Sequence, residues 1–126
     1  MVEAGEDAVE HVRELTGGRG VEAVLDFVGE QGTTVQGPAM LAVGGTYFVI
    51  GYGGRVDLSA IEIISREISV VGSLVGSFTE LSELMALAAQ GKVKLETREY
   101  SLEDVNAALA DLRDGRLHGR GVLVPA

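Results

Sequence analysis

Glycines divide this chain into short apolar segments, and this division constrains the fold more than any other feature. The 126 residues include 18 glycines, which occur in pairs such as Gly17-Gly18, Gly44-Gly45 and Gly53-Gly54 and singly between apolar runs. Glycines in such positions end helices and strands, and we expect Gly44-Gly45 to end a helix. No glycine-rich linker divides the sequence. We therefore predict a single domain over residues 1–126, with 116–126 as its closing strand.

Apolar runs between the glycines predict strands. Residues 21–28 are nearly all apolar, a pattern typical of a parallel strand that is covered on both faces. Residues 46–50 predict a second buried strand, and residues 68–75, which are rich in β-branched side chains, predict a third strand. Weaker patterns predict two more strands, at 93–100 and 121–124. The sequence therefore predicts a largely buried sheet.

Helical patterns separate these strands. Residues 6–15 carry apolar side chains at three- and four-residue spacing, and residues 77–80 (SFTE) form a capping box that opens an amphipathic helix. A weaker pattern at 31–43 predicts a helix that either begins near Pro38 or is kinked there, and 59–66 predicts one or two helical turns. A last helix is predicted from Ser101 onward. Helices that alternate with strands predict an α/β fold with a doubly wound parallel sheet.

Charge and composition exclude several classes of protein. Ten Lys and Arg against nineteen Asp and Glu give a formal net charge of −9, which argues against nucleic-acid binding and against a polybasic membrane anchor. The sequence has no cysteine and two histidines, so we expect neither disulfides nor a thiolate or histidine-rich metal site. No apolar run reaches the ~18 residues of a membrane span, and the acidic N-terminus is unlike a signal peptide. We predict a cytoplasmic protein that does not associate with membranes.

Glycines also lie at the predicted strand ends, where parallel sheets bind their ligands. They occur in Phe27-Val28-Gly29, in Ile50-Gly51-Tyr52-Gly53 and in 72–76. Two interpretations stay open. Each glycine makes the turn after its strand, or together they form a ledge where a ligand approaches the backbone.

Two segments match part of the dinucleotide fingerprint G-x-G-x-x-G without its context. Residues 18–23 fit the letters but follow a predicted helix and run into a strand. Gly51-Tyr52-Gly53 follows a strand but opens no clear helix. Because the fingerprint works by placing a helix N-terminus against the pyrophosphate, neither segment predicts a phosphate cradle.

Three polar residues are candidates for a role near the strand ends. Asp26 and Glu30 flank the end of the first predicted strand. We expect Asp26 to bond to neighbouring backbone or to a partner side chain, and Glu30 to be solvated. Arg120, between two glycines, is either a phosphate ligand or a solubilising loop arginine. No residue is predicted to be catalytic.

Five segments in this order resemble a known family: 14–21 (ELTGGRGV), 24–29 (VLDFVG), 44–51 (GGTYFVIG), 71–73 (VGS) and 119–125 (GRGVLVP). Together they resemble the C-terminal part of a zinc-type alcohol dehydrogenase of the medium-chain dehydrogenase/reductase superfamily, over essentially the whole chain. The resemblance implies a partial Rossmann fold, with the second mononucleotide-binding half plus a closing helix and strand. The zinc ligands and the G-x-G-x-x-G of such enzymes have no counterpart here, so no metal ligand is predicted in this chain.

The resemblance also implies a site for NAD or NADP. Its contacts are expected at three strand ends and at one arginine near the pyrophosphate: Phe27, Val28, Gly29, Ile50, Gly51, Tyr52, Ser73, Leu74, Val75 and Arg120. Residues 68–75 are expected to be a dimer edge, and the edge at 21–28 is a second candidate for self-association.

The function implied is hydride transfer between an alcohol and nicotinamide by the parent enzyme, in which this chain supplies half of the cofactor wall. We expect the chain alone to be inactive as a dehydrogenase. Two alternatives stay open. One is a zinc-free quinone or enoyl reductase of the same superfamily, and the other is a non-catalytic nucleotide-binding or assembly module.

Overall fold

The computed structural model describes residues 5, 7–30 and 32–125. The predicted starts of two helices, at residues 6 and 31, lie outside the described residues. Contacts between residues divide the chain into two compact units, Met1–Gly76 and Ser77–Ala126. Each unit is described by itself, and the expectation of one partial nucleotide-binding domain stays a prediction.

The first unit contains a three-stranded parallel sheet in the order β1-β2-β3. Its elements are α1 (Ala8–Leu15), β1 (Val21–Asp26), α2 (Thr33–Met40), β2 (Leu41–Val49), α3 (Ala60–Arg66) and β3 (Ser69–Gly72). Parallel neighbours joined by helices confirm the predicted α/β class. Within the described residues, β1 and β3 are the two edges of this sheet.

The second unit contains a two-stranded parallel sheet of its own. Its elements are α4 (Phe78–Ala89), β4 (Thr97–Ser101), a short 3-10 helix (Leu102–Asp104), α5 (Val105–Arg113) and β5 (Arg120–Val124). The closing strand β5 pairs with β4. None of the described helices is both long enough and apolar enough to span a membrane.

Capping boxes fix two helix starts. The Ser77 hydroxyl accepts a hydrogen bond from the backbone N–H of Glu80, and the Glu80 carboxylate accepts one from the Ser77 N–H. This is the motif predicted at 77–80. Ser59 and Glu62 make the same reciprocal pair at the start of α3. Each box satisfies backbone donors that have no partner within the helix.

The junction of α2 and β2 differs from the prediction. Gly44 and Gly45 do not end a helix but lie inside β2, where the pairing with β1 slips by several residues. The helix ends earlier, at Met40, two residues after Pro38. The guanidinium of Arg66 donates to the Leu41 carbonyl at 2.6 Å, which anchors the start of the strand. The helix therefore ends before the glycine pair, and a side-chain contact from α3 lies at the start of the strand.

The core of the first unit is small. Leu41, Tyr47 and Ile68 are buried and pack with partly buried side chains that include Val49 and Ile63. The expectation that the first strand is covered on both faces is wrong. Most of β1 is exposed or half-buried, and every residue of β3 is exposed. An apolar sequence thus marks these strands correctly but does not show what covers them.

Candidate functional site

Three predicted strand-end segments meet at one edge of the parallel sheet. Asp26 is in register with Val49, and Val49 with Gly72, so the strands end side by side. The segments 27–29, 50–52 and 73–75 follow these ends directly. The sheet therefore brings nine of the ten predicted cofactor residues to its carboxyl edge, where doubly wound sheets bind ligands.

Asp26 organises the first of these segments. Its Oδ1 accepts hydrogen bonds from the backbone N–H groups of Val28 (2.9 Å) and Gly29 (2.8 Å). Its Oδ2 accepts from the hydroxyls of Tyr47 (2.6 Å) and Thr33 (2.8 Å). This confirms the expectation that Asp26 bonds to backbone and to a partner side chain.

The hydrogen bonds decide the protonation state of Asp26. Burial alone would raise its pKa, but the bonds from Tyr47, Gly29, Thr33 and Val28 outweigh burial and hold the pKa below the ordinary value. The partner hydroxyl responds in the opposite direction. Burial, the bond to Asp26 and the Asp26 charge together raise the pKa of Tyr47. Near neutral pH the pair is therefore a carboxylate with a protonated phenol.

Glycine lets the first two strand-end segments touch backbone to backbone. Gly29 has φ +70°, and a Cβ there would collide with the carbonyl group of Gly51. A Cβ on Gly51 would in turn collide with the Val28 carbonyl. The Gly54 N–H donates to the Gly29 carbonyl at 2.8 Å, which continues the contact. These glycines thus serve a contact between two loops of the same chain, a use that neither sequence interpretation included.

Side chains at this edge are largely apolar and open to solvent. Phe27 is 71% and Tyr52 is 89% exposed, while Ile50 is half-buried. Leu74 and Val75 are also exposed, and Val75 has a positive φ of 49°. An exposed set of apolar side chains in one place is typical of a binding surface.

An apolar groove of about 410 Å³ lies beside β1. Side chains of α1, β1 and α2 line it, among them Val12, Leu25 and Met40, and Phe27 lies at its border with the strand end. Sequence reasoning did not find this groove, since helix positions relative to an edge strand depend on the tertiary structure.

Arg120 lies in the second unit, as the first residue of β5. Its backbone N–H donates to the Glu96 carbonyl at 2.9 Å, and its side chain is exposed. Gly119 precedes it with φ +76°, in a position where a Cβ would collide with the Glu96 carbonyl. The glycine beside Arg120 therefore serves this close approach of backbone to backbone.

A polar cluster in the second unit was not predicted. Asp111 accepts a hydrogen bond from the Tyr100 hydroxyl at 3.0 Å and forms ion pairs with Arg98 (3.0 Å) and Arg116 (2.9 Å). The Arg98 guanidinium also lies over the Tyr100 ring. The bonds from Arg116 and Tyr100 hold the pKa of Asp111 below its ordinary value. Each of these groups has a partner within the cluster. We therefore interpret the cluster as a structural contact that connects β4, α5 and the segment after α5.

The arrangement of the strand ends is typical of one class of protein. Parallel strands that end in one row, with apolar side chains beyond them, are the architecture of nucleotide-binding α/β domains. The phosphate cradle of that class is a glycine-rich turn that opens a helix. Neither glycine motif predicted from the sequence does so, because Gly20 directly precedes β1 and the helix after Gly53 begins only at Ala60.

Comparison with known proteins identifies the family. The model of the zinc-binding dehydrogenase family matches residues 1–90. The chain therefore belongs to the zinc-binding dehydrogenases, and the resemblance to medium-chain alcohol dehydrogenases is confirmed.

Individual relatives agree with this assignment. The chain is 40% identical over 117 residues to an NAD-dependent alcohol dehydrogenase of Sulfolobus acidocaldarius, a match that covers 90% of the chain and 34% of that protein. It is 33% identical over 120 residues to a D-arabinose 1-dehydrogenase (NADP(+)) of Saccharolobus solfataricus. That match covers 94% of the chain and 34% of the relative. The chain thus spans about a third of the length of the curated relatives that it matches.

A solved structure supports the fold. The alcohol dehydrogenase of Aeropyrum pernix superposes with a TM-score of 0.91 at 45% sequence identity, over 98% of this chain and 36% of that one. This agreement confirms the Rossmann-type α/β architecture.

The family description implies zinc, but the residues present do not fit a zinc site. The chain has no cysteine. Across residues 5, 7–30 and 32–125, no group of three or more His, Asp or Glu side chains is placed to hold a metal ion. Structural and catalytic zinc sites need three or four such ligands. No chemical step is therefore assigned to zinc in this chain.

Proposed function

We propose that this chain forms one wall of the cofactor cleft of an NAD(P)-dependent, zinc-type alcohol dehydrogenase. The whole enzyme would transfer hydride between an alcohol and nicotinamide, with zinc bound by residues outside this chain. The observation that carries the proposal is the single row formed by the ends of β1, β2 and β3. When bound, the cofactor supplies the hydride chemistry, and the protein supplies binding and orientation.

The proposed wall consists of the three strand-end segments. Phe27 and Val28 offer apolar contact area to a ring of the cofactor, and so does Tyr52. Gly29 and Gly51 allow the backbones of the first two segments to lie in contact. Ser73, Leu74 and Val75 extend the wall beyond β3. In the second unit, Arg120 is a separate candidate ligand for the pyrophosphate. Because relatives named for NAD and for NADP(+) both match, the proposal covers either cofactor.

A titration with a matched pair of variants tests this wall. Calorimetry of the full chain with NADH and with NADPH is expected to show saturable binding of at least one of them. Phe27→Asp places a carboxylate in the wall and is expected to abolish that binding through repulsion of the phosphates and lost stacking. Phe78→Asp, which changes another exposed phenylalanine, at the start of α4 (84% exposed), is the control and is expected to leave binding unchanged. Equal affinity in Phe27→Asp and the parent chain would contradict the proposal.

We further propose that the chain is cytoplasmic and self-associates through an open sheet edge, at residues 68–75 or at 21–28. Exposed edge strands offer unpaired backbone groups to a second copy. The exposed apolar residues Val70 and Val71 support the first edge, and the groove beside β1 supports the second. Val71→Lys and Leu25→Lys are expected to abolish association at their own edge, as measured by light scattering. A monomer in the unmodified chain at micromolar concentration would refute self-association.

The chain alone is expected to show no dehydrogenase activity, because its described residues include no set placed to bind zinc and none of its residues is predicted to be catalytic. An assay of the purified chain with NAD, zinc and short alcohols tests this expectation. Turnover by the chain would show that the proposed division of the enzyme is wrong.

A further inference from the structure

Asp26 is the one buried charged side chain in the described part of the molecule, with 5% of its surface exposed. A buried carboxylate is costly unless it is paired or fully hydrogen-bonded. No described arginine, lysine or histidine forms an ion pair with it. Four neutral donors hold it instead. A simple core position would be served at lower cost by an apolar residue, so this ion has a more specific task.

The four donors come from three different elements. Tyr47 belongs to β2, Thr33 is the first residue of α2, and the N–H groups of Val28 and Gly29 belong to the loop after β1. The carboxylate therefore ties the loop to the sheet on one side and to the helix on the other. Removal of the carboxylate would leave the N–H groups of Val28 and Gly29 without their side-chain acceptor.

The main chain of Asp26 adds a second connection. Its carbonyl oxygen accepts hydrogen bonds from the N–H groups of Ile50 (2.9 Å) and Gly51 (2.8 Å), at the end of β2. The side chain thus holds the first strand-end loop, and the main chain of the same residue holds the second. Between them lies the close contact of Gly29 with Gly51, which leaves no room for a Cβ on either glycine.

We propose that Asp26 is a positioning residue that fixes the loops 27–30 and 50–54 as one rigid surface toward the cofactor, with Tyr47 as its main partner. This inference rests on the proposed function for its use in binding, but the rigidity itself is independent of any ligand. Asp26 does not touch the cofactor in this account. It acts through the backbone of Val28, Gly29 and Gly51.

Amide hydrogen exchange on the full chain tests the positioning role. Tyr47→Phe removes one hydroxyl and keeps the ring that fills the core. Tyr100→Phe makes the same change at the Tyr100–Asp111 pair of the second unit and is the matched control. In Tyr47→Phe, exchange at the amides of Val28 and Gly29 is expected to rise about tenfold, while the amides inside β2 keep their rates. Tyr100→Phe is expected to leave the Val28 and Gly29 amides unchanged.

Two outcomes of the exchange experiment would overturn the role. Unchanged rates at Val28 and Gly29 in Tyr47→Phe would show that the loop does not depend on the pair. An equal rise at every amide of the first unit would show a general loss of stability instead of a local anchor. Asp26→Asn is a second variant that keeps the side-chain shape, and the same two criteria apply to it.

Binding of NADH separates this inference from the proposed function. If the unmodified chain binds NADH, Tyr47→Phe is expected to weaken the affinity several-fold and Tyr100→Phe to leave it unchanged. Unchanged affinity in Tyr47→Phe would overturn the role of the pair in the cofactor surface. If the unmodified chain binds neither NADH nor NADPH, the proposed function fails, and the exchange rates at Val28 and Gly29 still decide whether Asp26 positions the loops.

Discussion

The two units of this protein each contain a tyrosine hydroxyl bonded to an aspartate, in contrasting surroundings. In the first unit Tyr47 is fully buried, and Asp26 is held by neutral donors alone. In the second unit Asp111 keeps 17% of its side chain exposed and is paired with two arginines. The contrast shows that the same pair of groups can act as an internal anchor or as a surface tie.

The two aspartates differ in whether water can replace their hydrogen-bond partners. Asp111 can return to solvent with its arginines, and ions screen its pairs. Asp26 is sealed by the groups that it orients, so it can leave only if the loop after β1 opens. We therefore expect the Tyr47–Asp26 pair to be insensitive to salt but sensitive to the loss of a single hydroxyl. We expect the Tyr100–Asp111 pair to be sensitive to salt and less sensitive to the loss of its hydroxyl.

The largest expected effect comes from truncation of the buried aspartate. Asp26→Ala leaves the Tyr47 hydroxyl and the N–H groups of Val28 and Gly29 without an acceptor, and we expect a loss of about 3 kcal/mol of stability in the first unit. Asp111→Ala is expected to cost less, because its arginines return to solvent. Urea unfolding followed by amide resonances of each unit measures both. Equal losses for the two variants would contradict the comparison.

A glycine pair measures the cost of the loop contact. Gly29 and Gly115 have nearly equal positive φ angles, +70° and +69°, but a Cβ on Gly115 would meet no atom within 4 Å. Gly115→Ala is expected to cost about 1 kcal/mol from backbone strain alone. Gly29→Ala adds the collision with Gly51, and we expect about 2 kcal/mol or more in total. The same urea experiment gives the difference. A cost for Gly29→Ala no larger than that for Gly115→Ala would show that the loops do not depend on their contact.

Acid is expected to weaken the first unit through Asp26. Its folded-state pKa lies below the ordinary value of 3.8. The stability that Asp26 contributes is therefore complete above about pH 4 and is lost as the pH falls through the folded pKa. Asp26→Asn, which cannot titrate, is expected to flatten this loss. The melting temperatures of the unmodified chain and of Asp26→Asn, measured from pH 5 to pH 2, test this prediction. Parallel curves would exclude Asp26 as the titrating group.

Salt is expected to give the smallest effect, and it acts on the second unit. The ion pairs of Asp111 with Arg98 and Arg116 are partly open to solvent, so ions screen them. The Debye length falls from roughly 14 Å at 0.05 M NaCl to roughly 3 Å at 1 M NaCl. Over this range we expect amide exchange to rise slightly around Asp111 and to stay constant around Asp26. A larger response at Asp26 would reverse the comparison.

Local sequence signals predicted much of this structure. The SFTE sequence at 77–80 gave the start of α4 correctly, because a capping box is complete within four residues. The alternation of apolar runs and helical patterns gave the α/β class and the parallel order. Gly44-Gly45 misled the prediction, since the contacts at the start of β2, the pairing of Leu41 with Val21 and the bond from Arg66 to Leu41, join residues far apart in sequence.

The site was predictable in outline but not in its internal connections. The strand-end segments followed from the sheet, and Asp26 was expected to find a partner nearby. Its partner Tyr47 was not identified. Tyr47 is in register with Val24, two residues before Asp26 and on the same face of the sheet, and this register is known only from the structure. The contact of Gly29 with Gly51 could not be predicted either, because it also depends on the register of the two strands.

Chemical-shift mapping with NADH tests the central claim most directly. The full chain, labelled with ¹⁵N, is titrated with NADH while the backbone amides are followed. We predict that the largest shifts occur together in the segments 27–29, 50–52 and 73–75, with much smaller shifts inside α5. Shifts confined to other parts of the chain, or no saturable shift at these three segments, would contradict the claim that the strand ends form a wall of the cofactor cleft.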